Sequence, residues 1–312
     1  MPRHRYRVVD VFTQAPLEGN PLAVFPDGSG IDGRVMQKIA RELNLSETVF
    51  LLPPTGADAA AKLRIFTPTY EMQFAGHPTI GASFIILDEG IVAKGTTEFA
   101  VEENVGLVAI RVESSTGAQA TLTKADRKKS AADGDAQDSR PRIWLTTPPI
   151  EYQQTLARSL CAQVLGLEVD DLLAPTPQVL TAGNPTIFIP VKSQAAVDRA
   201  WLDRSGAIEL RGNDERPLCV FVFTPTADGA YSRMFAPEHG VVEDPATGSS
   251  TGPLAAYMMR AGLTSATKFV SEQGTKMGRR SLLHVEIRGN NGERGIDVGG
   301  YVTPLVEATM TL

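Results

Sequence analysis

A chain of 312 residues with 42% hydrophobic content can bury two cores, and its length alone suggests two domains. Its net charge of −6, with no basic stripe beyond Arg3-His4-Arg5-Tyr6-Arg7 and the patch from Lys124 to Lys129, excludes nucleic acid or an anionic membrane as the main partner. The N-terminal cluster has no apolar h-region and no apolar run reaches the ~18 residues of a membrane span, so a cytoplasmic protein is expected.

In chain order, Tyr6 to Phe12 reads as a strand, followed by the turn Gly19-Asn20-Pro21 and the apolar run Leu22 to Phe25. Ile31 to Leu43 carries apolar residues at 31, 35, 36, 39, 40 and 43, the stripe of an amphipathic helix that Asp32 helps to start. Glu47 leads into a strand over Thr48 to Leu52; by pattern alone it is a solvated edge glutamate. Leu63 to Phe66 is a further strand, and the step Phe66-Thr67-Pro68 precedes the knot His77-Pro78-Thr79-Ile80-Gly81. Pro78 to Asp88 then leaves no polar face, so this helix must be buried; Gly90 is its stop signal.

The stretch from Lys124 to Arg140 is rich in Lys, Asp, Ala, Ser and Gly, lacks apolar periodicity and precedes Pro141, which marks a linker. Beyond it the first half is echoed. Gly183-Asn184-Pro185 repeats Gly19-Asn20-Pro21, Phe235-Ala236-Pro237 repeats Phe66-Thr67-Pro68, and Asp244-Pro245-Ala246-Thr247-Gly248 repeats the His77 knot. Each echo lies about half a chain length downstream and in the same order, the mark of two like domains rather than a short-period array. Pro253 to Leu263, with Gly262 near its end, is the counterpart of the first apolar helix, and Arg211 to Arg216 is a second polar loop. Cys161 and Cys219 have no CxxC partner and read as small core residues. His4, His77, His239 and His284 show no metal-ligand spacing, so no metal is expected.

Proline is favoured at the first helical position, and the free N–H groups of a first turn together with the helix dipole make an anion site. Gly76, Gly81, Gly248 and Gly252 permit close backbone approach. His77 and Asp244 stand at matching places before the two helices, so one small anionic ligand held between them is expected. The alternative for Asp244 is a plain N-cap.

The segments Asn20-Pro21-Leu22-Ala23-Val24, Leu45-Ser46-Glu47-Thr48, Ala75-Gly76-His77-Pro78, Glu243-Asp244-Pro245-Ala246-Thr247-Gly248-Ser249 and Glu272-Gln273-Gly274 resemble, in order over nearly the whole chain, the PhzF family of phenazine-biosynthesis isomerase-like proteins. The resemblance implies an α/β (α+β) protein of two pseudo-symmetric diaminopimelate epimerase-like domains, each a curved mixed sheet around a central apolar helix. These are expected at 1–125 and 141–312, with a linker at 126–140 and the C-terminal segment able to pack back on the first domain. It implies Glu47 as the catalytic proton carrier, and Asn20, Gly76, His77, Asp244, Thr247, Gly248 and Ser249 as substrate-binding residues. His77 is a candidate to tune Glu47 or carry a second proton. A homodimer is implied, and no cofactor.

Two departures stand out. Epimerases of related fold use paired cysteine bases at these helix starts, whereas neither knot here has a cysteine beside it, so two-thiol racemisation is not expected. Arg280 in Gly278-Arg279-Arg280-Ser281 stands where the family usually has proline. The expected activity is a cofactor-independent isomerase that relocates a proton on a small carboxylated or amino-bearing metabolite, with a cyclic dihydro-hydroxyanthranilate-like compound as one candidate. The alternatives are a two-lobed small-anion-binding protein, or a lyase or hydrolase in which Glu47 activates water.

Overall fold

The computed structural model describes residues 1–114, 140–289 and 295–312. The expected linker at 126–140, except Arg140, and the basic patch at 124–129 lie outside the described residues. The first run of elements is β1 (Arg3–Val11), β2 (Asn20–Phe25), α1 (Gly33–Leu43), β3 (Glu47–Leu52), β4 (Lys62–Phe66), β5 (Glu71–Met72), α2 (Gly76–Asp88), β6 (Glu98–Glu103), β7 (Gly106–Glu113) and β8 (Arg142–Thr146). Next come β9 (Glu151–Thr155), α3 (Arg158–Leu165), β10 (Gln178–Thr181), β11 (Thr186–Pro190), α4 (Gln194–Arg199), α5 (Arg204–Arg211), β12 (Cys219–Thr226) and β13 (Gly229–Ala236). The chain closes with β14 (Val241–Asp244), α6 (Gly248–Arg260), β15 (Lys268–Gln273), β16 (Ser281–Arg288), β17 (Gly295–Gly300) and β18 (Val302–Thr311).

The duplicated motifs mark a duplicated ladder. β2 pairs parallel with β3 and β4 with β6; β11 pairs parallel with β12 and β13 with β15. The pairs β1–β2, β3–β4, β6–β7 and β7–β8 are antiparallel, as are β10–β11, β12–β13, β15–β16 and β16–β17. The halves join where β8 runs antiparallel to β17, Gly299 lying opposite Trp144. A Cβ on Gly299 would sit 2.4 Å from the Trp144 ring, so the join needs glycine there. The C-terminal strand then returns to the first half, β18 lying along β1 from Arg3 to Val11, while β9 lies on β10.

The central helices follow from composition. α2 is buried from Gly76 through Ile86 and packs on β1, β2, β3, β4, β8 and β18, so its sheet curves around it. Ile80 and Ile85 meet Val9, Leu22 and Val24 in that core, each contributing about 1.5–3 kcal/mol of apolar burial. α6 packs on β10, β11, β16 and β17, with Leu254 and Met258 against Phe188 and Phe223. α1 is amphipathic as expected: Asp32 accepts the Arg34 N–H as its N-cap, and Asn44 ends it in the left-handed region at φ 51.

The second apolar helix departs from its expected bounds, starting at Gly248 rather than Pro253 and ending at Arg260. Its first turn closes when the Thr247 carbonyl accepts the Ser250 and Thr251 N–H groups. Pro253 therefore sits in the second turn, where its ring forgoes one ladder bond that burial of the whole helix offsets. In α2 the bound moves less, because Pro78 is third in the helix and its missing N–H is one of the unpaired set.

Candidate active site

The two central helices meet start to start. A Cβ on Gly76 would lie 2.7 Å from both Gly248 C and Ser249 N, and one on Gly248 would lie 3.2 Å from His77 N. Any larger residue at Gly76 would force the two helix ends apart. Two positive helix ends of roughly half a charge each repel by about 1 kcal/mol at this separation, and an anion between them reverses the sign of that contribution.

Beside this junction lies a cavity whose walls come from both halves. Glu47, Tyr70 and His77 face it from the first half; Asn184, His239 and Asp244 face it from the second. Gly76, Thr247, Gly248 and Ser249 complete the line of backbone around it. Among the described residues that line it there is no Lys or Arg, which leaves backbone N–H groups and the helix ends as its source of positive potential.

His77 and Asp244 thus face one cleft, as their matching places predict. Asp244 ends β14 and is fixed on every side: Oδ1 accepts Asn20 Nδ2 at 2.9 Å and Ser46 Oγ at 3.5 Å, Oδ2 accepts Thr247 Oγ1 at 2.5 Å, and its carbonyl accepts Gln273 Nε2 at 2.8 Å. It is not the plain N-cap of the alternative reading, for Thr247 is the cap residue and its N–H goes to Gln273 Oε1 at 3.1 Å. Burial pushes the Asp244 carboxyl up to about 6 against these stabilising hydrogen bonds.

Glu47 opens β3, and its side chain is 15% exposed, not the solvated edge residue its pattern suggests. Burial, and second the charge of Asp244, raise its pKa well above the ordinary carboxylate range. Its Oε2 lies 3.3 Å from His77 Nδ1, yet without a hydrogen bond to any side chain or backbone group. Burial favours the neutral form of both groups, lowering His77 to about 3 and raising the Glu47 carboxyl, so the contact is not held as a charged pair. His77 Nε2 is likewise buried without a partner. The unpartnered oxygen of Glu47 is what a bound ligand would satisfy.

Asn20 is fully buried behind the cavity rather than on its wall, donating to Asp244 and to the Ala246 carbonyl at 2.9 Å and lying 3.4 Å from His77 Nδ1. Its repeat partner Asn184 does line the cavity, 3.5 Å from Ser249 Oγ. Tyr70 and His239, each four residues past the echoed Phe, join across the mouth through a 3.0 Å hydrogen bond. Cys219 is buried as expected but also lines the cavity, and burial pushes its thiol up to about 12, so it is no nucleophile. Sequence reasoning passed over Asn184, Tyr70, His239 and Gln273; the usable signal was repeat position, which pairs Asn184 with Asn20 and Tyr70 with His239. Arg280, at the place of the family's proline, donates to Glu272 at 2.9 Å, while Arg279 reaches Asp10 at 2.7 Å and the carbonyls of Glu18 and Gly19.

Among known proteins, the signature of PhzC-PhzF, the phenazine biosynthesis-like protein family, matches residues 9–308. An uncharacterised isomerase of Mesorhizobium japonicum is 34% identical over 99% of this chain and 99% of its own. The trans-2,3-dihydro-3-hydroxyanthranilate isomerase of Pseudomonas chlororaphis is 32% identical over 99% of this chain and 100% of its own. The fold is that of a Bacillus anthracis PhzF-family crystal structure, with a TM-score of 0.82 at 22% identity over 100% of both chains. A hydroxyproline epimerase from Agrobacterium vitis shares it more distantly, with a TM-score of 0.62 at 13% identity over 98% of this chain and 92% of its own.

Proposed function

The chain belongs to the PhzC-PhzF family of phenazine biosynthesis-like proteins and is an enzyme of isomerase type; from that premise we propose that Glu47 shuttles a proton between two carbons of a small carboxylated metabolite. The substrate carboxylate rests on the backbone N–H groups at the starts of α2 and α6, and Asp244 and His77 orient the rest of the molecule. Each C–H bond broken is matched by one made, and Glu47 ends in the state in which it began. No cofactor enters this scheme, because the acid and the base are two forms of one carboxyl.

The observation that carries the reading is the Glu47 carboxyl itself, largely buried, with an unpartnered oxygen, beside His77 and facing two helix starts. Burial raises the pKa of this carboxyl above the ordinary carboxylate range, which suits a group that must both donate and accept a proton at carbon. The neutral imidazole can receive or relay a proton without first losing one. For the substrate we propose a cyclic amino acid of the dihydro-hydroxyanthranilate type, on the strength of the named relatives. The same reading carries a cytoplasmic homodimer, which sedimentation equilibrium checks.

Incubation with trans-2,3-dihydro-3-hydroxyanthranilate, followed by mass spectrometry and NMR, tests the reaction class. The expected product has the mass of the substrate with a hydrogen relocated. A product lighter or heavier by one water would replace isomerisation with lyase or hydrolase chemistry.

A further inference from the structure

Glu103 ends β6 and Gln273 ends β15, and these strands hold the same place in the two halves, β6 parallel to β4 and β15 parallel to β13. Both side chains reach the start of a central helix. Gln273 Oε1 accepts the N–H of Thr247, the cap residue of α6. The Glu103 carboxyl touches Thr79 Oγ1 at 2.5 Å in the first turn of α2, beside the cap residue Ala75. An amide and a carboxyl of the same shape therefore stand at two equivalent helix starts.

Thr79 indicates which form the carboxyl takes. Its oxygen lies 2.6 Å from the Ala75 carbonyl and 2.5 Å from Glu103 Oε1, but a hydroxyl has one proton. A carbonyl only accepts, so the hydroxyl proton goes to Ala75 and the proton of the second contact must come from Glu103. Glu103 is 3% exposed and its Oε2 has no partner. Among the described residues the elements around it supply no counter-charge: α2 presents Thr79, β7 places Gly106 opposite, and the nearby charges of β4 and β5 are spent in the pairs Lys62–Glu102 and Arg64–Glu71. Burial accordingly pushes this carboxyl up to about 7.

We propose that Glu103 is a positioning residue that must hold its proton for α2 to offer its N-terminus to an anionic substrate, so that ionisation of this one carboxyl weakens substrate binding. An ionised Glu103 occupies the same helix end that the substrate carboxylate needs, and repels it across one turn of helix. Gln273 is the permanently neutral version of the same device. The inference rests on the isomerase reading, in particular on its anion site.

The test is titration calorimetry with anthranilate, whose carboxylate stays ionised throughout, on the wild-type protein and Glu103→Gln between about pH 6 and about pH 9. The ratio of wild-type to Glu103→Gln dissociation constants is expected to rise from near one to about tenfold across that range. A merely structural cap would give a ratio that does not change with pH, and a constant ratio overturns the proposal even if both proteins lose affinity together through Glu47. Failure of Glu103→Gln to fold would also overturn it, since an amide of this shape already closes the equivalent helix. Absence of anthranilate binding to either protein would instead remove the anion site of the isomerase reading, and this inference with it.

Discussion

Gly76→Ala perturbs the junction of the two helices with a single methyl group. The added Cβ would lie 2.7 Å from Gly248 C and Ser249 N and 3.0 Å from Gly248 Cα, all backbone atoms that cannot rotate aside. Carbon contacts settle at about 3.5–4.0 Å, so the helix starts must part by roughly 1 Å. Overpacking of this kind costs about 1–3 kcal/mol, while replacing glycine by alanine in a helix returns up to about 1 kcal/mol, leaving a net loss of about 0–3 kcal/mol in stability. Activity is the sharper readout, because a displacement of about 1 Å between groups that share a ligand costs about 10²-fold in turnover. Urea denaturation paired with kcat/KM measures both. Gly248→Ala is the control: its Cβ would meet neighbours at 3.1 Å and beyond, including the movable Phe12 ring, and a smaller loss is expected. Wild-type kcat/KM in Gly76→Ala would refute the claim that the abutting helix starts form the site.

Two further predictions follow from buried carboxylates. Asp244 has a folded pKa of about 6 against an ordinary 3.8, so the folded state keeps its proton longer than the unfolded state, and stability is lost as pH rises through that window. Urea titrations should show the wild type losing stability relative to Asp244→Asn between about pH 4 and about pH 6; a parallel course would remove Asp244 from the linkage. Arg279→Ala leaves the fully buried Asp10 without its cation and should cost about 2–4 kcal/mol in the same assay, and an unchanged midpoint would contradict the ion pair.

The duplicated architecture was legible because its signals are local. Asn-Pro turns start β2 and β11, and a helix apolar on all sides has nowhere to go but the middle of a curved sheet. The start of α6 was misjudged because proline is a weaker boundary than burial: Gly248 to Gly252 pack against α2 and Thr147 whatever follows them. The return of β18 to β1 was an expectation of the family resemblance and not of local pattern, since strands choose partners across long separations. At the site, Glu47 follows a helix and begins a strand, and the segments that bury it, those of His77 and Asp244 among them, come from distant sequence. The resemblance to a family supplied that residue; pattern alone did not. Glu103 and Gln273 were invisible for a related reason, because strand ends read the same whether they face solvent or a helix start.

The central claim is that one carboxyl carries the proton. Glu47→Gln keeps the size and most hydrogen-bonding capacity of the side chain but cannot cycle between acid and conjugate base. Single-turnover kinetics of this variant with trans-2,3-dihydro-3-hydroxyanthranilate, with binding measured separately, should show affinity within a few fold of wild type and a chemical step slower by about 10²-fold or more. An unchanged chemical step in Glu47→Gln would contradict the account and assign the proton transfer to another group in the cleft.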